Sequence, residues 1–356
     1  MNDFQVASEL IDKKWPAEDL EYLSECPVCL SRKFYTVYNK LIDNAFSNAP
    51  GVWSLQRCVT CEVCYLNPRP TVESIGWAYT SYYTHRSTVQ GSNPPKWSIL
   101  FSKLRTLYGK CRYGSVNNSK WRLLRFLLVF VPTLKASVER EYRHLPLRAG
   151  SLLDVGCGDG AYLALVRDCG WKVTGVEPDS SAANYARTMG LTVHQGDLSI
   201  LRESKELFDV ITLSHVIEHV HDPLKMLRDC FDLLRPGGQI WLETPNTDSL
   251  VHQEFGQNWR GLEAPRHLVL FNKLTLMSAV TNVGFVAGEF LHAPSVCRSM
   301  FKKSYLMSMG LSPYSKIRMP RMVLLRSIFI FLAEKIRRRQ EFITLKAYKP
   351  LDSERR

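Results

Sequence analysis

The stretch Ser151-Leu-Leu-Asp-Val-Gly-Cys-Gly-Asp-Gly160 decides the fold. An apolar run that ends in an acid and then spells Gly-x-Gly-x-Gly reads as a buried strand turning tightly into a helix. Glycines let the backbone approach a ligand closely, and a helix N-terminus offers free N–H groups. Such a turn alone also serves dinucleotides. Asp154, two residues before the first glycine, narrows the ligand. A carboxylate there repels a pyrophosphate and suits a cationic aminoacyl group.

Further strands extend the pattern. Trp171–Glu177 is a second apolar strand, with Glu177 standing where a ribose diol needs a bidentate acceptor. Leu191–Asp197 is a third, with Asp197 set to accept from an adenine amino group. Phe208–His215 is a fourth and opens onto Val-Ile-Glu-His219; Leu234-Arg-Pro-Gly-Gly238 then turns into a fifth, Gln239–Glu243. A dehydrogenase would want its third glycine one residue later and leaves Asp197 unexplained.

Across about 150–290 the chain resembles class I S-adenosylmethionine-dependent methyltransferases, in the branch of ubiquinone O-methyltransferase-like and polysaccharide-cluster enzymes. The resemblance implies an α/β fold: a Rossmann-like seven-stranded sheet with helices on both faces. It implies that Asp154, Gly156, Cys157, Gly158 and Gly160 hold the methionine part of S-adenosylmethionine. Glu177 would hold the ribose and Asp197 the adenine, with Ser214 and His215 completing the cofactor contacts.

A chain of 356 residues has room for about two domains. The first twenty residues show no apolar signal core, and ten cysteines without one point to a reducing compartment, the cytoplasm. The net charge of +12 is unevenly spread. Residues 91–146 carry 11 basic and 2 acidic side chains and residues 297–349 carry 13 and 2, whereas 147–296 carry 12 and 18. The expected organisation is a zinc-binding module with an aromatic helix over 1–90 and a basic apolar helical cap segment over 91–146. A methyltransferase domain occupies 147–349, with 297–340 a basic helical insertion between strands six and seven.

Cys26-Pro-Val-Cys29 and Cys58-Val-Thr-Cys61 are two Cys-x-x-Cys knuckles, a spacing that suits tetrahedral Zn²⁺ in a small ribbon-like module. Cys64 lets the second knuckle be read in either register. The family resemblance favours Cys58 and Cys61, since relatives carry Cys-x-x-Cys-Gly and then Asn-Pro-Arg-Pro, here Asn67–Pro70. Glu62 stands in place of that glycine, which puts the turn of this knuckle in question. Thr71–Tyr83 reads as a helix with Thr71 at its N-cap.

The stretches from Trp97 and from Trp121 to Val131 are apolar and edged with Lys and Arg, far shorter than the ~20 residues that cross a bilayer. Lys273–Val283 reads as a helix, Gly284–Leu291 as strand six and Glu341–Tyr348 as strand seven. Both basic segments are expected at the carboxyl edge of the sheet as a helical cap, either with a basic rim in water or as a surface that meets an anionic membrane or draws in an anionic or lipid-linked acceptor.

Two histidine groups compete for proton chemistry. His215-Val-Ile-Glu-His219 reads as the start of the helix after strand four, and Glu263-Ala-Pro-Arg-His267 lies in the connection after strand five. His267, His219 and Glu263 are the candidate catalytic groups, Glu218 and Glu263 either orient an imidazole or bind a divalent metal, and Arg266 suits a phosphate or carboxylate on the acceptor. The leading function is methyl transfer to a small molecule or glycan, a nucleotide sugar or lipid-linked saccharide of bacterial surface polysaccharide, by a cytoplasmic enzyme peripheral to the membrane's inner face. The alternatives are a zinc-containing RNA methyltransferase, methylation of a quinone-like lipid, and a non-catalytic scaffold. Against RNA, the basic segments are rich in aliphatics.

Overall fold

The computed structural model describes residues 14–79, 108–109, 112–113, 132–202, 206–292 and 295–354. The apolar stretches expected from Trp97 and Trp121, and the tyrosines Tyr82 and Tyr83, lie outside the described residues.

The N-terminal part holds β1 (Leu20–Glu21), β2 (Phe34–Leu41), β3 (Trp53–Cys58), β4 (Cys64–Leu66) and β5 (Arg69–Pro70). β1 pairs with β5, while β2, β3 and β4 form an antiparallel sheet. Beyond β5 the Thr71 hydroxyl accepts from the Ser74 amide at 3.3 Å. A longer helix was expected from this cap; among the described residues the chain forms only a short 3₁₀ turn, Ile75–Tyr79.

The central half alternates strands and helices: α1 (Pro132–Glu141), β6 (Ser151–Val155), α2 (Ala161–Arg167), β7 (Lys172–Glu177), α3 (Ser180–Thr188), β8 (Thr192–Gln195), α4 (Ser199–Arg202) and β9 (Phe208–Ser214). Then come α5 (Pro223–Leu233), β10 (Leu234–Pro245), α6 (Leu250–Phe255), β11 (Val269–Leu270), α7 (Lys273–Val283) and β12 (Val286–Phe290). The last elements are α8 (Cys297–Ser308), α9 (Arg321–Arg337) and β13 (Phe342–Tyr348).

Seven strands form one sheet in the order β12-β13-β10-β9-β6-β7-β8, with β13 antiparallel to both neighbours. This is the Rossmann-like methyltransferase architecture. β6 is buried along its whole length, as a central parallel strand covered on both faces must be. Local chemistry ends the elements cleanly. Asp222 caps α5 through the Lys225 amide with Pro223 in the first turn, and Asn272 and Thr275 form a reciprocal capping box on α7. Gly284 ends α7 with φ +111°, a left-handed conformation that favours glycine. The order reverses where β6 lies between β7 and β9, so the crevice for a ligand opens at the carboxyl ends of these strands.

The two sheets are not independent. β11, from the long connection after β10, adds to the N-terminal sheet: Val269 pairs with Tyr65 and Leu270 with Cys64. Trp53, Leu55, Tyr65 and Leu66 are buried in one core with Leu213, Leu242, Leu268 and Phe271.

α8 and α9 stand between β12 and β13, and α9 packs on α8 and α6. Beneath α9, Glu334, Glu341 and Cys297 are buried together. Glu341 accepts from the Trp259 indole at 3.1 Å, yet one Glu334 oxygen has no partner. Burial therefore pushes Glu341 up to about 8 and raises Glu334 as well. A carboxyl raised in the folded state contributes its stability in full below its ordinary value of 4.5 and loses it as pH rises toward 8. The unfolding midpoint of the wild type should therefore fall across this window, and Glu341→Gln should flatten the decline; an unchanged slope in that variant would assign it to other groups.

Candidate functional site

The glycine loop leaves β6 and enters α2. Gly156, Gly158 and Gly160 all have positive φ, between 55° and 79°. The space beside Gly158 is open, so a Cβ there would intrude only on ligand volume. Glu177, at the end of β7, accepts from the Gly158 amide at 2.8 Å and from the Asp179 amide at 2.9 Å. A carboxylate oxygen accepts more than one hydrogen bond, so a diol can join these amides. Cys157 turns its thiol inward against Gly175. Asp197 is exposed and accepts from the Ser199 hydroxyl and, at 2.8 Å, from its amide. Those two bonds lower its pKa against a weak opposition from burial.

Asp154 is buried, with one oxygen accepting from Arg143 and from the Thr212 hydroxyl. Its other oxygen has no partner. A cationic aminoacyl group fits that orphaned atom. Arg143, which no sequence motif marked, comes just after α1 and lies over the Tyr162 ring, 3.7 Å from its centre. Arg140, on α1, forks onto Glu243 of β10 at 2.8 and 3.2 Å. These side chains, with Ser137, Ser214 and Trp241, line a cavity of about 260 Å³. A pair of arginines three residues apart just before the first apolar strand was the available signal.

A second cavity, of about 160 Å³, adjoins it across Ser214–His215 and is lined by His219, Arg260, Glu263, His267, Lys303 and Phe342 among others. The expected helix after β9 is here a single 3₁₀ turn, Ile217–His219, and α5 begins only at Pro223. His215 and Glu263 both hold left-handed backbone, φ 55° and 40°, which costs energy for non-glycine residues and clusters at working sites. Half-buried His215 donates toward Glu218 at 3.2 Å and lies 3.6 Å from Glu243. Burial opposes its charge, but the two carboxylates prevail and push it up to about 10. Glu218, despite burial, is held near 2 by His215.

His267 behaves in the opposite way. Its Nδ1–H donates to the Gly261 carbonyl at 2.7 Å, which leaves Nε2 as the acceptor. Burial lowers it to about 4, so it is neutral near pH 7. Nε2 lies 3.8 Å from Glu263, and the Arg260 guanidinium, against the burial penalty, keeps Glu263 ionised near 2. His219 packs edge-on against His267 and meets the Tyr79 hydroxyl at 2.9 Å through Nδ1. Glu218, His219 and His267 offer ligand atoms within 4.8 Å of one another, a donor set that a divalent cation accepts.

Arg266 requires a correction. It does not face the acceptor: its guanidinium is fully buried and forks onto Asp43 at 2.9 and 2.5 Å, with a third bond to the Ala78 carbonyl. The basic groups that do line the cavity are Arg260 and Lys303 of α8.

At the far end of the N-terminal sheet, Cys26, Cys29, Cys58 and Cys61 bring their sulfurs within 4.8 Å of one another. Cys26–Cys61 is 3.6 Å and Cys29–Cys58 3.5 Å. A tetrahedron of Zn–S bonds near 2.3 Å has edges of about 3.8 Å, so the donor set and spacing suit zinc. Glu62 adopts φ 62° and donates its amide to the Cys58 carbonyl at 3.0 Å, so the turn forms without glycine. Cys64 is engaged elsewhere, by Arg57 Nε at 3.3 Å.

The sheet order and the glycine loop together define a Rossmann-like methyltransferase fold. Residues 130–287 match the model of the methyltransferase domain family. A ubiquinone biosynthesis O-methyltransferase of Coxiella burnetii is 34% identical over 110 residues, covering 29% of this chain and 47% of that one. The enzyme of the same name from Stutzerimonas stutzeri is 32% identical over 110 residues, with the same coverage. The chain thus spans about half the length of the curated relatives it matches. A methyltransferase structure from Archaeoglobus fulgidus aligns over 71% of this chain and all of that one, at 19% identity and a TM-score of 0.41.

Asp43→Ala strands the Arg266 charge in the interior. It should cost about 3–5 kcal/mol in urea unfolding, as loss of one partner of a buried pair does. A cost near that of a surface substitution would show that the pair is solvated.

Proposed function

We propose that this chain methylates a hydroxyl of a small acceptor, with S-adenosylmethionine as donor. The acceptor class we favour is a glycan unit, as a nucleotide sugar or a lipid-linked saccharide. The observation that carries the reading is the pair of adjoining cavities. One is lined by Arg143, which binds buried Asp154, and the other by neutral His267, and the two adjoin at Ser214 and His215.

When bound, the donor supplies an electrophilic methyl on a sulfonium. Asp154 would receive its ammonium and the open face of Gly158 its backbone, while Glu177 would take the ribose and Asp197 the adenine. Arg143 and Arg140 offer cations for its carboxylate. In the neighbouring cavity His267 Nε2 accepts the hydroxyl proton as the new bond forms, and ionised Glu263 stabilises the imidazolium. Charged His215, between Glu218 and Glu243, keeps the wall between the cavities in one arrangement. Lys303 and Arg260 would attract an acceptor that carries a phosphate or carboxylate.

A second reading is the phenolic hydroxyl of a quinone-like lipid. It is favoured by the relatives, which are named as ubiquinone biosynthesis O-methyltransferases. Incubation with isotopically labelled methyl donor and either nucleotide sugars or catechols decides between them. Label in the saccharide supports the first reading, and label in the catechol replaces it with the second.

His267→Ala should lower kcat by about 10²–10⁴-fold with donor affinity unchanged, measured by calorimetry beside turnover. Because His267 stays neutral down to about 4, the acid limb of kcat in the wild type should fall near that value. A limb at the ordinary histidine value, or full turnover in the variant, would take His267 out of the mechanism.

We further propose that the four cysteines hold one structural zinc. Metal analysis of the purified chain should find about one equivalent, and Cys61→Ser should lose it together with thermal stability. A metal-free protein of unchanged stability would show the cysteines to be ordinary buried thiols.

A further inference from the structure

α9 leaves most of its apolar surface uncovered. The side packed on α8 and α6 buries Ser327, Ile330 and Glu334, with Val323, Phe331 and Ala333 partly buried beside them. The open side carries Met322, Leu325, Phe329, Leu332 and Ile336, which are 77, 61, 62, 51 and 82% exposed. Those five recur at spacings of three and four, and exposed Leu324 and Ile328 widen the stripe. A helix facing water presents the reverse pattern.

The exposed charges of the helix and its flanks have one sign. Arg321, Arg326, Lys335 and Arg337 are exposed on the helix, Lys316 and Arg318 precede it and Arg338 and Arg339 come after it; the helix's single acid, Glu334, is buried. Arg326 also forks onto Glu254, at 2.8 and 3.0 Å. The basic groups lie beside apolar ones: the Arg326 guanidinium is 5.8 Å from the Phe329 ring centre and Lys335 Nζ is 4.6 Å from that of Phe331. Long basic side chains placed so can cover apolar surface while their charged ends reach outward.

We propose that α9 docks in the plane of an anionic lipid bilayer, its apolar stripe among the acyl chains and its basic rim at the headgroups. Charge selects this occupant over two others. A second copy of α9 would bring one basic rim against another. Residues 91–131 of this chain contain eight Lys and Arg and no Asp or Glu, so they repel the rim as well. An anionic surface complements it. No helix among the described residues is long and apolar enough to cross a membrane, so the contact is with one leaflet. α8, which packs on α9, supplies Met300 and Lys303 to the acceptor cavity, so docking would hold that cavity next to the headgroup layer. The inference does not depend on the acceptor, because its readout is binding.

The test is flotation of the full chain with vesicles of phosphatidylcholine alone or mixed with phosphatidylglycerol, at low and high salt. The chain should float only with the anionic vesicles and detach as salt rises. Replacing Arg337, Arg338 and Arg339 with Gln should weaken partition about a hundredfold. The triple Leu325→Ser, Phe329→Ser, Leu332→Ser should abolish it. Both variants should keep the wild-type circular dichroism and donor affinity, because the altered side chains are exposed. Failure of the folded wild type to float would overturn the proposal. So would binding that survives both variants, or a dimer in solution that the triple variant dissolves, which would make α9 a contact between copies.

Discussion

The buried pair of Asp43 and Arg266 is the contact on which the rest of the site depends. Both side chains are withdrawn from water, and the three guanidinium nitrogens are directed at Asp43 and the Ala78 carbonyl. Such a pair is poor evidence of net stability, since desolvation offsets much of the attraction. Its value lies in what it excludes. The connection that carries Glu263 and His267 cannot lift away from the N-terminal sheet without exposing an uncompensated charge to the core. Leu268 is held on both sides, its amide by the Glu218 carbonyl at 2.7 Å and its carbonyl by the Leu66 amide at 3.0 Å. The histidine next to it in sequence thereby acquires a fixed position from the N-terminal part of the chain.

The cavity beside it shows how burial and neighbouring charge separate the roles of similar groups. His215 and His267 are both imidazoles facing one space, yet one is held charged and the other neutral. The difference lies in partners: two carboxylates for His215, a backbone carbonyl and a more distant acid for His267. Pairs of titratable groups driven apart in this way are the usual mark of acid and base assignments.

Much of this was legible in the chain itself. The central strand and its glycine loop, helix Lys273–Val283 and the late strand ending at Tyr348 arise from periodicity and capping residues, which act locally. The four cysteines announce themselves by spacing. Arg266 was misread because a sequence shows a cation but not its burial, and Asp43 lies far upstream. β11 is two residues long and exists only because β4 waits beside it, so no local pattern could mark it. The uncovered apolar stripe of α9 was invisible for the same reason: its seventeen residues look like any basic amphipathic helix until neighbours decide which side is covered.

The pairing of β4 with β11 also bears on how the chain comes to be assembled. Tyr65 leaves synthesis long before Val269, and strands β6 to β10 are all made in between. The N-terminal sheet therefore keeps an open edge for most of translation, during which its unpaired backbone groups are available to any passing strand. A cluster of four thiols at the β3–β4 turn can set these strands in place before that edge is closed. The edge is closed only when the connection after β10 arrives. In a newly made chain, completion of the small sheet and positioning of His267 are one event.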